Sequence, residues 1–196
     1  MVKRSKIGHC LADAWLNVVK TEYCVGHINS ERSLQGHLFA ELRHQMRGEP
    51  NRQIFIEPRV ELKGEERVVR PDIVICNANE VICVVELKYA PRGKAATEKD
   101  MRSIGAIAAD QTIEISLERY LGPPVPSRTY RISSTTLFAW AGVHKGAGQQ
   151  SDVWTADDKF SNHYFLELHA LSKADAEPRL VCNTNAFRRP TGYEAP

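Results

Sequence analysis

Asp72, Glu86 and Lys88, with Arg70 close by, are the residues of this chain whose types and spacing could do chemistry. They border two β-branched runs. The first is Asp72-Ile73-Val74-Ile75-Cys76 and the second is Val81-Ile82-Cys83-Val84-Val85-Glu86-Leu87-Lys88. Turn residues, Asn77-Ala78-Asn79-Glu80, separate them, so the stretch predicts a β-hairpin. Both faces of both strands are apolar over most of their length, the pattern of strands covered on both sides. Charges on such strands are costly unless they are paired or bind metal.

The spacing brings these charges together. A loop of Ala78 to Glu80 pairs Asn77 with Val81, sets Asp72 opposite Glu86 and sets Arg70 opposite Lys88. Side chains alternate faces, so all four then lie on one face at one end of the hairpin. A loop one residue longer breaks this arrangement. Two facing carboxylates repel unless a cation lies between them. Hard oxygen ligands suit Mg²⁺ or Mn²⁺. Lys88, on the same face, can hold a negatively charged oxygen beside the metal. The competing reading is a structural salt bridge among the same groups, with Asp72 beside Pro71 an ordinary turn residue.

Pro71-Asp72, thirteen intervening residues and then Glu86-Leu87-Lys88 resembles the PD-(D/E)xK nuclease superfamily. That superfamily includes many restriction endonucleases, Holliday-junction resolvases and repair exonucleases. The resemblance covers the middle of the chain, from the helix near Glu31 to the strand near Trp140. It implies an α/β fold with a restriction-endonuclease-like core, a mixed β-sheet flanked by helices on both faces. It implies a divalent-metal-dependent DNA nuclease, expected to be an endonuclease. Asp72, Glu86 and the Leu87 backbone carbonyl would hold Mg²⁺, with Mn²⁺ able to substitute. Many members add an acidic residue from the first core helix. Glu31 fits that role best by position, and Glu41 is the runner-up. Lys88 would position the attacking water or stabilise the phosphate. Gln35, Arg70 and Lys99 are candidates for supporting roles or DNA contacts. DNA is the implied partner, and a homodimer is the family expectation for cutting both strands. The alternative is a catalytically silent DNA-binding or complex-forming module.

The surrounding pattern must position these residues. Ile7, Cys10, Leu11, Ala14, Trp15, Val18 and Val19 predict an amphipathic helix over 7–19. A second helix, capped by Ser30, runs to Met46 and carries Glu31, Gln35, Leu38 and Leu42 at roughly four-residue steps. Gln53 to Leu62 reads as a strand bent at Pro58, and 63–66 as a turn. Thr97-Glu98-Lys99-Asp100 resembles a capping box. It opens a helix that buries Met101, Ile104, Ile107 and Ala108, with Lys99, Asp100 and Arg102 facing out. Residues 120–127 form a proline-rich loop, and Thr135 to Val143 a buried strand. Residues 163–171 and the run 180–182 add strands or a helix. The expected organisation is an N-terminal helical extension at 1–29, a nuclease core at 30–145 and a C-terminal extension at 146–196 packed on the same domain.

The totals fit this reading. The chain has 196 residues, 42% hydrophobic and 26% charged, ordinary for a globular protein with a real core. Net charge is +2, but basic residues gather after the motif, at Lys88, Arg92, Lys94, Lys99 and Arg102. Five cysteines form no C-x-x-C pair, which with the lack of a signal-like N-terminus leads to an expected cytoplasmic location without membrane contact. No phosphate-loop, dinucleotide-binding, esterase or H-E-x-x-H motif occurs.

Overall fold

The computed structural model describes residues 2–64, 67–116, 122–123, 125–145 and 162–194. The connector expected at 146–151 and part of the 120–127 loop lie outside the described residues.

Alternating apolar residues on the hairpin strands bury both of its faces. Helix α1 (Val2–Val18) continues into a π-helical turn (Val19–Tyr23), and α2 (Glu31–Gln45) follows. Ser30 caps α2 by accepting from the Ser33 backbone N–H, while the Ser33 hydroxyl reaches back to the Ser30 N–H. Strands β1 (Gln53–Ile56) and β2 (Arg59–Leu62) come next, then β3 (Arg67–Val69), β4 (Ile73–Cys76) and β5 (Val81–Ala90). Helix α3 (Glu98–Ala109) precedes β6 (Thr112–Ser116), β7 (Arg128–Arg131), β8 (Leu137–His144), β9 (Tyr164–Lys173) and β10 (Ala176–Thr184).

The main sheet has six strands in the order β1-β4-β5-β8-β9-β10. It is mixed: β5, β8 and β9 run parallel, and the flanking pairs are antiparallel. A second, antiparallel sheet has the order β3-β2-β6-β7. The fold is therefore mixed α/β, with two sheets rather than the single sheet expected. Pro58 does more than bend a strand: β1 and β2 belong to different sheets, and Glu57 between them has φ +44. β6 alternates in burial, the visible signal for the second sheet.

Strand alternation divides the core in two. Ile73, Ile75, Cys83, Val85 and Leu87 face the layer made by α1 and α2, with Leu11, Trp15, Leu34, Leu38 and Leu42. Val74, Cys76, Val84, Phe138 and Trp140 face α3 and the second sheet. Helices thus cover both faces, and the second sheet shares one face with α3. β9 and β10 continue the central sheet, so the C-terminal segment is built into it by backbone pairing. Among the described residues, no helix is long and apolar enough to cross a membrane.

Gly142 shows how tight the α3 face is. A Cβ there would lie 2.2 Å from Trp140, whose indole is buried and cannot swing away cheaply. Gly142→Ala should therefore destabilise the protein by about 1–3 kcal/mol, the usual cost of overpacking. Urea denaturation checks this, and unchanged stability would show that Trp140 yields.

Candidate functional site

The hairpin register decides whether the charges meet. Ile73 pairs with Val85, Val74 with Val84 and Ile75 with Cys83. Carried on by one residue, this register brings Asp72 to Glu86. At the turn end it differs from expectation: a bulge makes Cys76, not Asn77, the partner of Val81, and the Asn77 N–H bonds the Glu80 carbonyl. The bulge absorbs the extra loop residue, so the charged end keeps its register.

Asp72 sits just before β4, and its backbone carbonyl accepts the Glu57 N–H at 2.9 Å. Its Oδ2 accepts the Leu87 N–H at 2.6 Å. In a strand the N–H and C=O of one residue point the same way, so the Leu87 carbonyl also faces Asp72. Gln35 of α2 is buried and donates from Nε2 to the Asp72 carbonyl at 3.1 Å and to Oδ1 at 3.4 Å. One turn earlier on α2, Glu31 Oε2 accepts the Tyr89 N–H at 3.1 Å. Glu31 is thus the helix carboxylate at this end of the sheet. Glu41 lies farther along α2 and accepts from Gln45 at 2.9 Å.

Lys88 Nζ stands 3.7 Å from Glu31 Oε2 and 3.7 Å from Asp100 Oδ2. Asp100 corrects the expected outward-facing helix surface: it is only 7% exposed. Thr97 makes no side-chain cap bond, so the expected capping box does not form there. Its N3 residue, Asp100, instead turns to the sheet and accepts the Trp140 indole N–H at 3.4 Å. Lys99 and Arg102 are exposed, as expected.

Arg70 is a second correction. It lies in the connector between β3 and β4, not on the hairpin, and is exposed. The chain enters β4 from the other sheet, so no strand segment extends far enough to set Arg70 opposite Lys88.

The electrostatics follow from this crowding. Burial, and then the charge of Asp72, raise the Glu86 carboxyl from an ordinary 4.5 to about 9. Ser103 of α3 hydrogen-bonds Glu86 and opposes that rise. Burial also raises Asp72, opposed by the Leu87 N–H and a hydrogen bond with Glu86. Near neutral pH Glu86 therefore keeps a proton and shares it with Asp72. Burial raises Asp100 too, against the lowering effect of Lys88.

The donor set is hard oxygen, and Mg²⁺ needs only one or two protein carboxylates, its shell being completed by water and phosphate. Asp72, Glu86 and the Leu87 carbonyl fit that requirement. Among the described residues, no three His, Cys, Asp or Glu side chains converge to enclose a metal by themselves. Farther along the same face, His144 Nε2 and His169 Nδ1 are 3.0 Å apart, and burial lowers both rings to about 4, so they are neutral core histidines. His163 is bound to the Ser133 and Ala108 carbonyls.

The sequence reading missed Asp100, Ser103 and Trp140. Asp100 had one available signal, its place four residues before the apolar Ile104 and one before Met101, which puts it at the edge of the buried stripe. Against protein-family models, curated proteins and solved structures, the chain finds no match.

In metal-free solution the Glu86 proton makes stability depend on pH. Between about 4.5 and about 9 the unfolded chain has lost this proton and the folded chain keeps it. Stability must then fall as pH rises through this window. Glu86→Gln holds the neutral form permanently and should flatten that fall. Thermal melts in EDTA across the window test it; an equal slope in the variant would mean that Glu86 titrates normally.

Proposed function

We propose that the protein is a divalent-metal-dependent DNA nuclease that hydrolyses phosphodiester bonds on a restriction-endonuclease-like core. One observation carries the reading: Asp72, Glu86 and Lys88 meet Glu31 of α2 at one end of a mixed sheet. A helix before the hairpin, the hairpin, a helix after it and a parallel return strand are the order expected of that core.

Asp72, Glu86 and the Leu87 carbonyl would hold Mg²⁺ or Mn²⁺, with Glu31 helping directly or through water. When bound, such an ion polarises the phosphate and lowers the pKa of the attacking water. The chain's own groups do the rest. Gln35 and the Leu87 N–H fix the Asp72 carboxyl so that it presents a constant face. Glu31 and Asp100 hold the Lys88 ammonium from two sides. A preorganised cation of this kind stabilises charge developing on the phosphate without reorganising. Trp140 anchors Asp100 and so sets the height of Lys88 above the sheet.

The silent-module reading treats the same residues as a salt-bridge cluster. Metal-dependent cleavage of plasmid and of single-stranded DNA separates the two. Wild type should cut with Mg²⁺ or Mn²⁺ and stop in EDTA. Lys88→Met should lose at least about 10²-fold in single-turnover rate, as when one preorganised stabilising group is removed. Its melting temperature with Mg²⁺ should stay near that of wild type. A Lys88→Met protein that cuts normally would contradict the catalytic role. No cutting by wild type that binds DNA would favour the silent module.

A further inference from the structure

We propose that the cleft at the C-terminal ends of β5, β8 and β9 binds an unpaired stretch of DNA strand beside the cleavage site. This rests on the nuclease reading and names the substrate form.

The cleft measures about 920 Å³ and begins one residue beyond Lys88. Tyr89, whose N–H bonds Glu31, lines it, so cleft and carboxylates share one end of the sheet. Tyr23 faces Tyr89 edge-on, with ring centroids 6.3 Å apart. The Tyr89 hydroxyl donates to the Ile28 carbonyl at 2.9 Å, which fixes that ring before any ligand arrives. Both tyrosines are half-buried, each keeping part of its surface toward the cleft.

Four of the nine other lining residues are basic, beside the uncharged Pro91, Leu171, Ser172 and Ala174. Arg92 follows the end of β5, Lys145 follows β8, and Lys173 ends β9. All three are exposed and make no ion pair among the described residues. Arg179 of β10 also lines the cleft but is paired with Glu194 at 3.3 Å. Glu177 is the lining carboxylate. The Lys145 N–H bonds the Gly93 carbonyl, next to Arg92, so two of the basic positions are tied together by backbone.

Rigid aromatic rings among cations bind a single strand, because each base offers a face to stack and each phosphate a charge to neutralise. A paired duplex hides its base faces, so stacking on these rings requires unpaired nucleotides. The substrate class is therefore DNA with a single-stranded end, gap or flap.

Fluorescence anisotropy in EDTA tests this with labelled oligo(dT), a blunt duplex and the same duplex carrying an overhang. Wild type should bind oligo(dT) and the overhang more tightly than the blunt duplex. Arg92→Ser with Lys173→Ser should reduce the slope of log affinity on log salt for oligo(dT) by about 1.4, about 0.7 for each phosphate no longer neutralised. Tyr23→Leu should weaken oligo(dT) at least about five-fold, the lower bound for one stacked base, and leave the blunt duplex unchanged. Melting curves check that Tyr23→Leu folds, and the paired exposed charge variant carries the test if it does not. Equal binding of all three DNAs by wild type, or an unchanged salt slope in the charge variant, would overturn the cleft assignment. Metal-dependent cutting by wild type would then still uphold the nuclease reading. Absence of both cutting and DNA binding would remove that reading and this inference together.

Discussion

Two carboxyl groups, Asp72 and Glu86, are held against each other at the end of a buried hairpin, and the rest of the site depends on that contact. Glu86 cannot relax into water, and Asp72 is only partly exposed. Glu86 is 6% exposed, and its strand is covered on both faces. Two charges this close in a poorly solvated place must be relieved by a proton or by a cation. With no cation, Glu86 keeps a proton at neutral pH. The fold therefore gives up some stability to hold this pair, and on the proposed reading a divalent ion would take the place of that proton.

Everything nearby limits how the pair can move. The Leu87 N–H and Gln35 hold Asp72 from two directions. Ser103 touches Glu86 from α3. Lys88 is kept from collapsing onto the pair by Glu31 on one side and Asp100 on the other. Asp100 in turn hangs on Trp140, whose position requires a glycine at 142. A chain of contacts thus runs from the packing of β8 to the charge placement at Lys88.

Much of this was legible in the sequence because a hairpin is local. β-branched runs, a short turn and period-two alternation were enough to oppose Asp72 and Glu86, and the bulge near Cys76 left that end alone. The four-residue step from Glu31 to Gln35 likewise set both on the side of α2 that meets the sheet. Nonlocal features were harder. Arg70 does not come opposite Lys88 because the chain enters β4 from another sheet, a crossing that no local pattern announces. Asp100 reads as part of a cap because capping boxes are local and common, whereas its true partners lie on β5 and β8. The second sheet pairs β2 with β6, strands far apart in sequence, so only the alternation of β6 hinted at it.

A metal ion bound between these carboxyls must displace the Glu86 proton. The most direct measurement is calorimetric titration of Mn²⁺ into the protein at neutral pH, repeated in two buffers of different ionisation enthalpy. Ligating carboxyls must be deprotonated, so binding should release close to one proton per ion from wild type. Glu86→Gln should lose both the tight binding and the release. Binding without proton release, or equal binding by Glu86→Gln, would contradict a metal held between Asp72 and Glu86.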